Sequence, residues 1–372
     1  MAGIYIHIPF CKQACHYCNF HFSTIHQQIP QLVKAIAKEA ALRKKYITET
    51  VDTIYFGGGT PSILPINDIA FLLNEIRKNF VVNATVEITL EANPDDITEE
   101  NLLAWKQAGI NRFSLGIQSF IDDELIWMNR SHNAFQAKQC VQLIKKYFTN
   151  YSIDLIFGSQ LLSNADWQKN IETALSFNPP HLSCYALTVE EKTVLGKKVQ
   201  QKNIAQIDNN KQAEQFEILM KSLATAGYNH YEISNYAQPN FESKHNSSYW
   251  QGKHYLGLGP AAHSYNGATR SWNVANNSLY ISSIEKNELS FETETLSVTQ
   301  QLNEYIMISL RTATGVDIKI IENNWGKNIL QQLEIKSQQG FQDNHIIKLG
   351  NNLQLTQQGK LFADAIAGDL FF

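Results

Sequence analysis

The chain has 372 residues, enough for one large domain plus a small one, and 44% apolar residues permit a substantial core. A net charge of −4, with 18% of residues charged, gives no overall drive toward nucleic acid. No apolar run approaches a membrane span and Met1-Ala-Gly-Ile-Tyr5 does not read as a signal peptide, so a cytoplasmic protein with reduced thiols is expected.

The apolar, β-prone run Ile4-Tyr-Ile-His-Ile-Pro-Phe10 leads at once into Cys11-xxx-Cys15-xx-Cys18. Three thiols within eight residues can converge on one metal centre if the segment is a loop. Three thiolates on a four-iron cluster would leave one iron open. A Cys3His zinc site is the competing reading, because His7, His16, His21 and His26 lie nearby. The odd count of five cysteines argues against a disulfide framework, and Cys140 and Cys184 read as buried structural residues.

Helical patterns follow over 29–46, 66–80, 98–106, 133–148, 166–177 and 210–226. Between them lie strand-like runs at 53–56, 84–90, 112–116, 151–157 and 181–187, with a further short run at 231–234. Strands that read as apolar on both faces, alternating with helices, indicate a parallel sheet with right-handed crossovers. The number of units predicts an α/β fold, a partial (β/α)6 TIM-like barrel. Parallel barrels build their sites at the C-terminal strand ends. The cysteine loop, Gly57-Gly-Gly-Thr-Pro61, Glu91, Gln118 and Asp154 all fall there.

Three consecutive glycines expose backbone groups to a ligand, although a tight turn would also use one of them. Glu91 ends an apolar strand, where a carboxylate calls for a cation or an amine, or else sits solvated at the rim. Gln118 and Arg130 suit a polar ligand such as a carboxylate, and Asp154, inside a strand, requires a hydrogen-bond partner.

Together, Tyr5, the CxxxCxxC triplet, Gly57–Pro61, Glu91-Ala-Asn-Pro94, Leu115-Gly-Ile-Gln-Ser119 and Asp154-Leu-Ile-Phe-Gly158 resemble the radical S-adenosylmethionine (SAM) proteins. The similarity covers nearly the whole chain. It points to the branch that contains oxygen-independent coproporphyrinogen III oxidases of porphyrin biosynthesis and haem chaperones. The resemblance implies iron–sulfur rather than zinc: Cys11, Cys15 and Cys18 would hold a [4Fe–4S] cluster. Gly58, Gly59 and Thr60 would contact the methionine part of SAM. Glu91, Gln118, Arg130 and Asp154 would meet its ribose and polar ends, with Tyr5 and Tyr17 flanking and Ala186 and His263 on the adenine side.

Within that branch the oxidases carry a further cysteine where this chain has Phe20, and a longer N-terminal segment than one starting at residue 4. His245-Asn-Ser-Ser-Tyr-Trp250 matches the HNxxYW pattern of the chaperones. An imidazole can ligate haem iron and aromatic faces suit a porphyrin, so His245, Tyr249 and Trp250 are haem-site candidates. A loop in which His245 merely hydrogen-bonds is the alternative; His254 and His263 are secondary ligand candidates. The expected function is a haem chaperone that transfers haem to acceptor proteins, with membrane-associated respiratory proteins a candidate class. Oxidative decarboxylation of coproporphyrinogen III is the alternative. Two departures touch the pocket rim: Phe157-Gly-Ser-Gln-Leu161 replaces the usual Gly-Leu-Pro-Gly, and Ala261 replaces a common glycine.

From about residue 286 the alternation stops. Helices are predicted at 300–312, from 315 and over 325–338, then a hairpin at 346–355 and a last helix from 356. This is a winged-helix-like unit. Residues 350–372 carry one lysine and no arginine, so docking rather than DNA binding is expected. The segments read as a barrel (1–235), an HNxxYW segment with linker (236–285) and a C-terminal domain (286–372).

Overall fold

A computed structural model describes residues 2–372. Six parallel strands lie side by side in chain order: β1 (Ala2–Ile8), β2 (Val51–Gly58), β3 (Val82–Ala92), β4 (Arg112–Gln118), β5 (Tyr151–Phe157) and β6 (His181–Ala186). Helices cross between them, giving the partial barrel.

The sheet does not stop at six strands. β7 (Asn229–Glu232) and β8 (Asn235–Ala237) add antiparallel strands beyond β6. On the other edge β9 (Tyr255–Leu258) runs parallel to β1, followed outward by β10 (His263–Tyr265), β11 (Thr269–Asn273) and β12 (Phe291–Thr295). β12 thus belongs to the large sheet although it lies beyond residue 286.

The strands are not apolar on both faces, contrary to the sequence reading. Their register aligns one polar face: Gly3 opposite Thr53, Thr53 opposite Glu87, Thr89 opposite Arg112. Further toward the C-terminal ends, Glu91 pairs with Ser114, Ser114 with Ser152, and Asp154 with Ser183. The other face carries Ile4, Ile6, Ile54, Phe56, Ile88, Leu90, Phe113 and Leu115, all buried in the main core. Apolar residues pack outward on the helices while polar ones point into the barrel. The period of two was present in the sequence but masked by the branched and aromatic residues around it.

A second core, from Leu302 to Leu370, forms the C-terminal unit around the sheet β13 (Val316–Asp317), β15 (Asn352–Leu355), β14 (Ile346–Leu349). Residues 316–317 form a strand rather than a helix start; Asp317 then caps helix Ile318–Trp325, its side chain accepting from Lys319 N. Gly326, at φ +91°, separates that helix from Lys327–Lys336, so the helix predicted over 325–338 begins two residues later. The two units are stitched by backbone: Ile233 N donates to Arg311 O (2.9 Å) and Ala313 N to Tyr231 O (3.0 Å).

The β9–β11 flank is held to helix Ile29–Leu42 by one buried carboxylate. Glu39 accepts from Gly259 N (2.9 Å), Asn273 Nδ2 (2.8 Å), Tyr280 Oη (2.6 Å) and Arg43 Nη1 (3.2 Å). Glu39→Ala leaves the buried Arg43 uncompensated, and a loss of about 3–5 kcal/mol is expected. Urea unfolding of the variant against the parent measures it.

Candidate functional site

The cysteine loop is pinned to the glycine loop by backbone contact. Gly59 N donates to Ile8 O (2.9 Å) and Thr60 N to Phe10 O (2.7 Å). A Cβ on Gly59 would stand 2.6 Å from Phe10 O, so only glycine permits the approach. The neck of the loop is closed by Cys11 N to Ser23 O (3.0 Å) and Ser23 N to Pro9 O (2.8 Å).

Cys11, Cys15 and Cys18 open onto a cavity of about 580 Å3 at the C-terminal strand ends. Of the residues expected around SAM, Tyr17, Gly58, Gly59, Thr60, Glu91, Gln118, Arg130, Asp154 and Ala186 line this same cavity. Burial pushes the Cys11 thiol up to about 11 and also raises Cys18. Among the described residues no three His, Cys, Asp or Glu side chains are gathered as the ligands of a single ion would be.

Each polar side chain has a local cause. Glu91 accepts from Tyr55 Oη (2.8 Å) and Gly58 N (3.2 Å), yet burial outweighs both bonds and lifts its carboxyl to about 7. Asp154 accepts from Ser114 Oγ (2.8 Å) and Ser152 Oγ (2.9 Å) and is likewise raised by burial. A bulge between Leu115 and Gln118 turns the end of β4, and Gln118 sits at φ +66°, strain of a kind that marks functional positions. Arg130 donates to Asn93 Oδ1 (2.8 Å), Gly116 O (2.8 Å) and Cys15 Sγ (3.3 Å), while its buried Nε has no partner among the described residues.

Tyr5 and His263, also expected beside SAM, are not among these lining residues, although the Tyr5 ring packs beside Gly57, next to Glu91. With Tyr249 and Trp250 they line a neighbouring cleft of about 1340 Å3, which reaches to Tyr305 and Trp325 of the C-terminal unit. Asn19, Phe20 and Glu190 line both spaces. Phe20 is 69% exposed there.

His245 lines neither space. It sits in helix Lys244–Trp250, buried, with Nδ1 bonded to Thr53 Oγ1 (2.8 Å) and Nε2 to Tyr249 Oη (2.9 Å). Its ring stacks on Tyr55 at 4.8 Å, and burial lowers its pKa to about 3. Both nitrogens of the expected haem ligand are therefore occupied within the protein. His254 pairs with Glu49 (2.6 Å).

The Radical SAM superfamily pattern matches residues 5–174. A haem chaperone HemW of Bacillus subtilis is 33% identical over 376 residues, covering 99% of this chain and 98% of its own. That of Haemophilus influenzae is 32% identical, covering 98% and 96%. The chain belongs to the HemW family. A solved coproporphyrinogen III oxidase from Escherichia coli has the same fold, with a TM-score of 0.86 over 100% of this chain and 90% of that one, at 21% identity.

In this member of the HemW family the altered loop after β5 leaves the cofactor cavity alone. Ser159 Oγ donates to Glu124 (2.7 Å) and Gly158 N to Gln215 Oε1 (2.8 Å), and residues 158–162 line neither space. Ala261 takes up φ +59°, the left-handed region that glycine would occupy freely. Sequence reasoning missed Tyr55, Asn93 and Ser114, which hold Glu91, Arg130 and Asp154. Stepping back by two from Gly57 and Gly116 would have found Tyr55 and Ser114.

Two outcomes are expected. Ala261→Gly relieves the left-handed strain and stabilises by about 1 kcal/mol, read as a raised Tm. Glu91, raised above its unfolded pKa, costs stability increasingly as pH climbs from the ordinary carboxylate range through about 7. Glu91→Gln in cofactor-free protein is therefore expected to gain several degrees in Tm relative to the parent at pH 8 and little at pH 5, by thermal melts at both.

Proposed function

We propose that this protein is a cytoplasmic haem chaperone, carrying a [4Fe–4S] cluster and SAM in the smaller cavity and haem in the larger cleft. The observation that carries the reading is the adjacency of a cysteine-lined cofactor cavity and an aromatic cleft containing the HNxxYW aromatics, in a chain of the HemW family.

The residues fit the first pair of groups. Cys11, Cys15 and Cys18, which line one cavity, would hold the cluster, each thiolate on a separate iron. Gly58 and Gly59 form a cradle that side chains would fill: a Cβ on Gly58 would stand 2.6 Å from the His7 ring. Glu91 and Asp154, uncomfortable as buried anions, would receive the amino and ribose donors of SAM. Arg130 and Gln118 would receive its carboxylate end. When bound, such a cluster with SAM supplies one-electron chemistry that the side chains do not.

The cleft exceeds the roughly 300–1,000 Å3 of ordinary small-molecule pockets, leaving room for a macrocycle. Tyr249 and Trp250 line it. Arg311 of the C-terminal unit packs over the Trp250 ring at 5.5 Å, so the motif joins the two units. Acceptor proteins would receive the haem, and the exposed Phe20, in place of a further cysteine, favours this reading over the oxidase.

Anaerobically reconstituted protein is expected to contain four irons per chain, to bind haem, and to restore a haem-depleted b-type haemoprotein. Cys15→Ala is expected to lose most of its iron and visible colour. Haem transfer absent from fully loaded protein, or turnover of coproporphyrinogen III by it, overturns the assignment.

A further inference from the structure

Resting on the haem reading above, we propose that His263, not the motif histidine His245, is the side chain that ligates haem iron in the cleft.

A histidine can ligate iron only through a free ring lone pair. Of the chain's eleven histidines, nine hold at least one ring nitrogen in a hydrogen bond or ion pair, which leaves the second nitrogen available where only one is bonded; among the described residues His263 and His345 have both free. His345 packs on Phe362 in the C-terminal unit, outside both spaces. The cleft itself is lined by three imidazoles. His7 is spent on both sides: its Nε2 donates to His21 O (3.0 Å) and its Nδ1 accepts from Tyr5 Oη (3.1 Å). His21 donates Nε2–H to Asn277 Oδ1 (2.8 Å), which leaves its Nδ1 lone pair free, but its ring is stacked on that of His7 at 6.3 Å and it is half-buried where His263 is exposed. His263 is exposed and lines the cleft, and among the described residues its one ring neighbour is Trp272, at 6.1 Å.

The position is rigid as well as open. His263 begins β10, pairs with Trp272 of β11, and packs its backbone so closely on Gly257 that a Cβ there would stand 2.1 Å from His263 O. The turn before it is fixed at Gly259 N, and β11 at Asn273, by the buried Glu39. A ligand on a held turn keeps its geometry when cargo enters or leaves.

The test is haem titration of the full chain, followed by the Soret band, the EPR spin state and Kd. In His263→Ala the parent spectrum is expected to change to that of haem lacking this ligand, with Kd at least about ten-fold weaker. Added imidazole should restore the parent spectrum, and His263→Tyr should give a phenolate-ligated spectrum. His345→Ala serves as the unchanged control. Parent-like spectrum and Kd in both His263→Ala and His263→Tyr overturn the ligand assignment while leaving haem binding intact, as does loss of the signal in His21→Ala with His263→Ala unaffected. Failure of the parent chain to bind haem at all sinks the underlying reading instead.

Discussion

Two stretches of backbone, residues 8–10 and 59–60, run in direct contact, and the site depends on that contact. The end of β1 and the glycine loop after β2 share hydrogen bonds at a spacing that the missing Cβ of Gly59 permits, and farther along the cysteine loop His16 N donates to Met128 O (3.1 Å) and Ala14 O accepts from Asn129 Nδ2 (2.7 Å). The thiols are thereby indexed to the same strand ends that present Glu91, Gln118 and Asp154. That contact sets the cysteine loop and the cavity beside it in a common frame.

Behind that frame lies a polar barrel interior. Tyr5, Tyr55 and His245 stack in a wall between the two spaces, and the imidazole of His245 ties Thr53 of β2 to Tyr249 of the motif helix. The HNxxYW histidine thus works through structure: it sets where the tyrosine and tryptophan stand. Backbone reinforces it, because His245 N donates to the buried Glu87 (3.1 Å). Such networks specify one arrangement because each member left unpaired would be costly.

Much of this was legible from residues alone. The crossovers, the cap at Thr98, the left-handed Gly109 and the hairpin at Gly350 follow from local chemistry that tertiary context had no reason to override. The grouping of the cysteine-lined cavity was legible because its residues sit on strand ends, where chain order translates into position. Less could be read where distant segments meet. The parallel pairing of β9 with β1 joins residues some 250 apart, and nothing local announces it. That pairing carries His263 into the cleft rather than toward the cysteines. His245 looked like a ligand because its sequence neighbours are aromatic, while its partners Thr53 and Glu87 come from two other strands.

The two spaces share a lip made of Asn19, Phe20 and Glu190, directly after the last cysteine. Were iron installed at the cysteines, any movement of that lip would also reshape the doorway of the cleft, with no long relay between them. Linkage would then work in both directions: if filling one chamber altered affinity in the other, the second would return the same factor. The threshold between the two chambers would be a phenylalanine and two polar neighbours.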